Sequence, residues 1–243
     1  MSLTAMFSSS AILSVAFELF MLANARPFAT GDLNGETVEV SSLGAMAKSS
    51  IAVHPGAKIS TLEEVLDLID CYGDKKVQIN LETKLDPENP NQTLSVDTYI
   101  DNLVPILQRR GYADRTYIQS FDWRTLIGIK KKFPKTRTVA LLDDTTVVPS
   151  GNLGFTWLGG IDLQKDFAGD WVKAAHSINA TALSPVHGVP SSVNTPGYKP
   201  FTTAAIVSQA HELGMIVVPW TVDDEVTIDK MFRRVIHTSQ GIE

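Results

Sequence analysis

The sequence has one cysteine, Cys71, which excludes an intrachain disulfide and any metal centre built from cysteines. A lone thiol leaves the redox compartment open. There is no excess of positive charge: 21 Lys and Arg stand against 27 Asp and Glu, for a net charge of −6 and a pI near 5.4. With no dense basic patch either, the electrostatic footprint of a nucleic-acid binder is absent. The one extended apolar stretch, Ala11 to Ala25, is interrupted by Glu18 and is too short and broken for a transmembrane helix. The chain also lacks a Gly-x-Gly-x-x-Gly turn, a Walker-type Gly-Lys loop, a heptad run and a short repeat. Dinucleotide, P-loop, coiled-coil and solenoid readings fall away with them.

What remains is a globular composition, 44% hydrophobic and 20% charged over 243 residues. One α/β barrel of roughly 250 residues fits that length as a single domain. Residues 1–28 stand apart. The apolar run ends in Ala23-Asn24-Ala25, a small-x-small pattern that allows cleavage before Arg26 and resembles a secretory signal peptide. Against it, Met1 to Ser10 carries no Lys or Arg. Two readings stand: a signal peptide on a secreted protein, or a stray apolar, amphipathic segment on a cytoplasmic one. Residues 29–57 form an irregular N-terminal segment, with Val38–Val40 and Ile51–Val53 as candidates for short strands.

From residue 58 to 236 the pattern becomes regular. Period-two segments at 77–84, 115–120, 138–142, 180–183 and 215–220 read as strands, with a further short candidate at Gly160–Leu163. Between them, helical stripes run from Leu62 to the stop at Gly73, over 95–110, 123–132, 171–177 and 201–213, and from Asp223 to about Ile236. Strand and helix alternate, the rhythm of a parallel sheet or barrel. Ser184 to Pro200, rich in Pro and Gly, is a loop of the length that usually carries function. Residues 237–243 are a polar tail.

The chemistry gathers at strand ends. Val77, Ile79 and Leu81 alternate with Gln78, Asn80 and Glu82, and Lys84 follows. Asn80, Glu82 and Lys84 thus put an amide, a carboxylate and an ammonium on one face. In a parallel barrel, strand carboxyl ends form the active-site rim. The plainer reading is a Glu–Lys pair closing an edge strand. Two later strand ends add Phe121 and Trp220, as core aromatics or pocket walls, and Asp122 and Asp223, most simply helix caps. A carboxylate favours a hard cation and an ammonium favours a phosphate.

Four segments, Ser60 to Val65, Asn80 to Lys84, Ile118 to Asp122 and Val218 to Asp223, occur in the order and spacing of the glycerophosphodiester phosphodiesterases, a family that the chain resembles over residues 54–234. The resemblance implies a TIM-type (β/α) barrel that uses a divalent metal, Mg²⁺ or Ca²⁺, to hydrolyse a small-molecule phosphodiester to glycerol 3-phosphate and an alcohol. It makes Glu82 a metal ligand and Lys84, Phe121 and Trp220 substrate-binding residues.

The departures bear on activity. The family's His-Arg-Gly, Glu-x-Asp and His-Asp motifs are absent, and none of the five His lies in such a context. No catalytic residue carries over. The closing Gly-Val-Asp-Gly strand is also missing. The first, second and eighth strands are therefore expected to be lacking, leaving an incomplete barrel with weak metal binding and impaired hydrolysis. The alternative is a barrel fragment that binds a phosphate ester or a partner without turning it over. His187, on the long loop, is the only histidine that falls near the rim, and it reads more simply as a surface-loop residue.

Overall fold

The main helices start where side chains can satisfy their free amides. The structure, a computed structural model, describes residues 60–73, 75–190 and 192–231, and the backbone alone of 12–15 and 232–237. Helix α1 (Leu62–Tyr72) opens on a reciprocal capping box between Thr61 and Glu64 and closes on Gly73 in the left-handed conformation. Ser95 caps α2 (Val96–Arg109), Asp122 caps α3 (Trp123–Lys132) and Asp170 caps α5 (Trp171–Ser177). Thr203 caps α6 (Ala204–Glu212). For the last helix, α7 (Glu225–His237), the cap is Asp224 and not Asp223: Asp224 accepts from Thr227 N at 2.9 Å. Adjacent aspartates are indistinguishable in sequence, and the turn geometry selects the second.

The strands are β1 (Ile12–Val15), β2 (Gln78–Glu82), β3 (Thr116–Ser120), β4 (Arg137–Leu142), β5 (Ala182–Pro185), β6 (Gly188–Val189), β7 (Lys199–Pro200) and β8 (Ile216–Val217). Six of them form one sheet in the order β1-β2-β3-β4-β5-β8, and every neighbouring pair is parallel. β6 and β7 make a separate antiparallel pair inside the long loop after β5. The architecture is α/β of TIM type, and the sheet stays open between β1 and β8 among the described residues.

Strand alternation sorts the side chains. Ile79, Leu81 and Ile118 face the helices and pack with Leu66 of α1, Leu103 of α2 and Ile129 of α3. Further along the sheet, Ala140, Leu142, Leu183 and Val217 pack with Trp123, Leu126, Val172 and Val207. Burying a Leu- or Phe-sized side chain contributes about 1.5–3 kcal/mol, so these two clusters supply most of the stabilisation. Asn80, Glu82 and Gln119, one residue out of phase, take the opposite face of the sheet.

Two sequence expectations need amendment here. The segment Gly160–Leu163 is not a strand: Asp162 accepts from Lys165 N and caps a short helix, α4 (Leu163–Phe167). A capping aspartate outweighs a brief apolar alternation. The backbone of Ile12–Val15, within the stretch read as a signal peptide or stray segment, pairs with β2. The rest of residues 1–28, the strand candidates at 38–40 and 51–53, and residues 238–243 lie outside the described residues.

The loop between β4 and α4 is held against the start of α3 by Gly159. Its φ is +67°, and an added Cβ would lie 2.6 Å from Ile127 Cδ1 and 3.2 Å from the backbone at Trp123 and Arg124. Gly159→Ala is therefore expected to destabilise the protein by about 1–3 kcal/mol, through the left-handed backbone and the steric conflict together. An unchanged urea midpoint would contradict this packing.

Candidate functional site

Because the sheet is parallel, the carboxyl ends of β2, β3, β5 and β8 lie on one rim. Glu82 ends β2 and is 5% exposed. Its Oε2 accepts a long hydrogen bond, 3.4 Å, from Gln119 Nε2 on β3, the residue opposite it in register. Gln119 Oε1 in turn accepts from Asn80 Nδ2 at 2.5 Å. Lys84 Nζ lies 2.8 Å from Glu82 Oε1, out of line for a hydrogen bond, so this contact is an ion pair. The Lys84 side chain is 47% exposed and presents its charge at the rim.

The end of β3 continues the site. Ser120 Oγ donates to Thr83 O at 3.3 Å and accepts from Asp122 N at 3.1 Å, which ties the turn after β3 to the residue beyond Glu82. Phe121 then meets Trp220 edge to face, with ring centroids 5.5 Å apart, and Trp157 at 6.5 Å. Trp220 is held on three sides. Its indole Nε1 donates to Ser184 O at 2.9 Å, its backbone N to Pro185 O at 3.1 Å, and its carbonyl accepts from His187 N at 2.8 Å. The site therefore has a charged half, Glu82 and Lys84, and an aromatic half, Phe121 and Trp220. β3 joins them, through Gln119 on one side and Phe121 on the other.

His187 is no surface-loop residue. It is fully buried, stacks on Tyr198 with centroids 5.7 Å apart, and its Nδ1 lies 3.1 Å from the Tyr198 hydroxyl. The β6–β7 pair folds the loop back over it, a long-range closure with no local signal. Asp122 caps α3 and forms a 2.6 Å ion pair with Arg124. The hydrogen bonds from Arg124 to Asp122 raise the guanidinium pKa above its ordinary value. Asp122 is thus engaged in structure. Asn80 was placed on the Glu82 face from sequence by strand alternation but given no role, and Gln119 was not singled out, because its place opposite Glu82 is set by the β2–β3 register.

A divalent ion fits these residues poorly. Ca²⁺ takes about six to eight oxygen ligands and Mg²⁺ near-ideal octahedral geometry. Glu82 offers one carboxylate, and Lys84 already pairs with it. No group of three or more His, Cys, Asp or Glu side chains converges among the described residues. No helix among them is long and apolar enough to cross a membrane.

Comparison with known proteins gives a family and a fold. The model of the glycerophosphoryl diester phosphodiesterase family matches residues 23–238. A crystal structure from Silicibacter pomeroyi, described as a glycerophosphoryl diester phosphodiesterase, is 24% identical with a TM-score of 0.56, covering 75% of this chain and 52% of that one. One from Galdieria sulphuraria, described as a glycerophosphodiester phosphodiesterase, is 20% identical with a TM-score of 0.52, covering 82% and 66%. The chain thus spans about half to two thirds of the length of these structures. No curated protein matches it.

Asp122→Ala, which removes the cap of α3, is expected to lower stability by about 1–2 kcal/mol. Thermal unfolding checks it, and an unchanged midpoint would contradict the capping role.

Proposed function

The chain belongs to the glycerophosphoryl diester phosphodiesterase family, and from that we propose that it binds glycerophosphodiesters at the strand-end rim while hydrolysing them, as it stands, at or near background. The family's reaction is hydrolysis to glycerol 3-phosphate and an alcohol, a step of lipid metabolism. The observation that carries the binding half is the part-exposed Lys84 ammonium, anchored 2.8 Å from the buried Glu82 carboxylate. A compact ammonium pairs with phosphate as a point charge. Phe121 and Trp220 offer apolar faces on the neighbouring strand ends, suited to the carbon portion of the ligand.

The hydrolytic half rests on which side chains the chain brings. Phosphodiester cleavage calls for a general acid and base within reach of the phosphate, each typically contributing about 10²–10⁴-fold. The histidine motifs that do this work in the family do not occur in the sequence, and His187 is stacked and buried under Tyr198. Glu82 is the one metal ligand that the resemblance supplies, so Mg²⁺ or Ca²⁺ should bind weakly there, in competition with Lys84. The domain that carries the function is taken as residues 58–236. Export, if the segment before Arg26 is cleaved, would place the protein outside the cell; without cleavage it stays cytoplasmic.

Purified protein incubated with glycerophosphocholine and Mg²⁺ or Ca²⁺ is predicted to release glycerol 3-phosphate no faster than its Glu82→Ala variant. Robust metal-dependent release that the substitution abolishes would show that acid–base groups are present at the rim and that the catalytic half of this reading is wrong.

A further inference from the structure

We propose that Asn80 is a ligand-binding residue, its side-chain carbonyl accepting a hydroxyl from the polyol part of a phosphate ester whose phosphate sits at Lys84. The proposal rests on the reading that Lys84 holds such an ester, and deepens it by naming what the ligand must carry besides phosphate.

Asn80 is 5% exposed. Its amide nitrogen is committed to Gln119 Oε1 at 2.5 Å, which fixes how the amide is turned. The oxygen, Oδ1, is buried and has no hydrogen-bond partner among the described residues. A buried acceptor left unpaired costs free energy, and such groups in folded proteins are ordinarily satisfied by protein, water or ligand. Asn80 is also not alone. Two residues along the same face of β2, Glu82 Oε1 is likewise buried without a hydrogen bond, meeting only the charge of Lys84.

The face of β2 therefore offers two buried acceptor oxygens without a hydrogen-bond donor among the described residues, with an ammonium at its open end. Residues i and i+2 on a strand are about 6.6 Å apart, the reach of a short carbon chain. The complementary molecule carries an anion for the ammonium and hydroxyl donors for the acceptors. A polyol phosphate ester has both. An alkyl phosphate of the same length meets the ammonium and leaves the acceptors unpaired. A site built to hydrogen-bond a hydroxyl discriminates against the analogue that lacks it, because the protein groups are then stranded.

The test is isothermal titration of the full chain with sn-glycerol 3-phosphate, propyl phosphate (the same skeleton without hydroxyls) and inorganic phosphate. Wild type is expected to prefer sn-glycerol 3-phosphate over propyl phosphate by about five- to tenfold, the worth of one hydrogen bond. Asn80→Ala should lower that ratio severalfold, leaving at most the share of Glu82, while propyl phosphate binds as before. Asn80→Ser, whose oxygen is too short to reach, should lower the ratio in the same direction and decides the matter if the alanine variant does not fold. Equal binding of the two esters by wild type, or a preference that neither substitution lowers, overturns the role of Asn80 and leaves Lys84 as a phosphate site. Failure of all three ligands to bind wild type overturns the Lys84 reading, and this proposal with it.

Discussion

A carboxylate taken out of water has to be met by charge or by hydrogen bonds, and the rim is arranged around meeting that demand at Glu82. Glu82 is 5% exposed at the end of a strand whose other face packs on helices. Lys84 supplies the opposite charge and Gln119 a hydrogen bond, and Asn80 holds Gln119 in turn. Each partner lies on β2, two residues beyond its end, or directly across the ladder on β3. The polar chain is thus possible only in this register, since a slip by one residue would turn Asn80, Glu82 and Gln119 toward the helices. Pairing of the charge and register of the sheet reinforce each other.

The same parallel ladder delivers the aromatic half. Phe121 follows β3 and Trp220 follows β8, strands that are three positions apart in the sheet, yet their rings touch. Curvature of the sheet, as in a barrel wall, brings those ends together. Trp220 is fixed by carbonyls of β5 and by the buried His187 strand end, so the wall is part of the fold and not a loose flap. A sheet that stays open among the described residues can therefore keep an ordered rim. The five strands β2, β3, β4, β5 and β8 are enough to carry every candidate residue.

How much of this was legible depends on the range of the interaction. The helices and central strands follow from apolar periodicity and from caps such as Thr61, Ser95 and Asp122, all local signals. Glu82, Lys84, Phe121 and Trp220 were singled out because they fall at strand ends in a recognisable order, and the parallel sheet puts those ends on one side. Failures occurred where a neighbour distant in sequence decides. His187 reads as a loop residue until the β6–β7 pair buries it, and the role of Gln119 emerges only with the β2–β3 register. The strand expected at 160–163 failed differently, by a cap at Asp162 overriding a short alternation. The β1 strand had no usable signal, because its apolar run is equally that of a leader segment.

Holding a diester and cleaving it are separate demands, and in the proposed function Lys84 and the aromatic rings meet only the first. The most direct test follows the protein and the ligand in one sample. In ¹⁵N-labelled protein, the indole N–H resonance of Trp220, assigned with Trp220→Phe, is monitored as glycerophosphocholine is added with Mg²⁺, while ³¹P spectra follow the ligand. The account predicts that the Trp220 resonance shifts in a saturable way and that the diester signal persists. A Trp220 resonance indifferent to the ligand, or steady conversion of diester to monoester phosphorus, would contradict it.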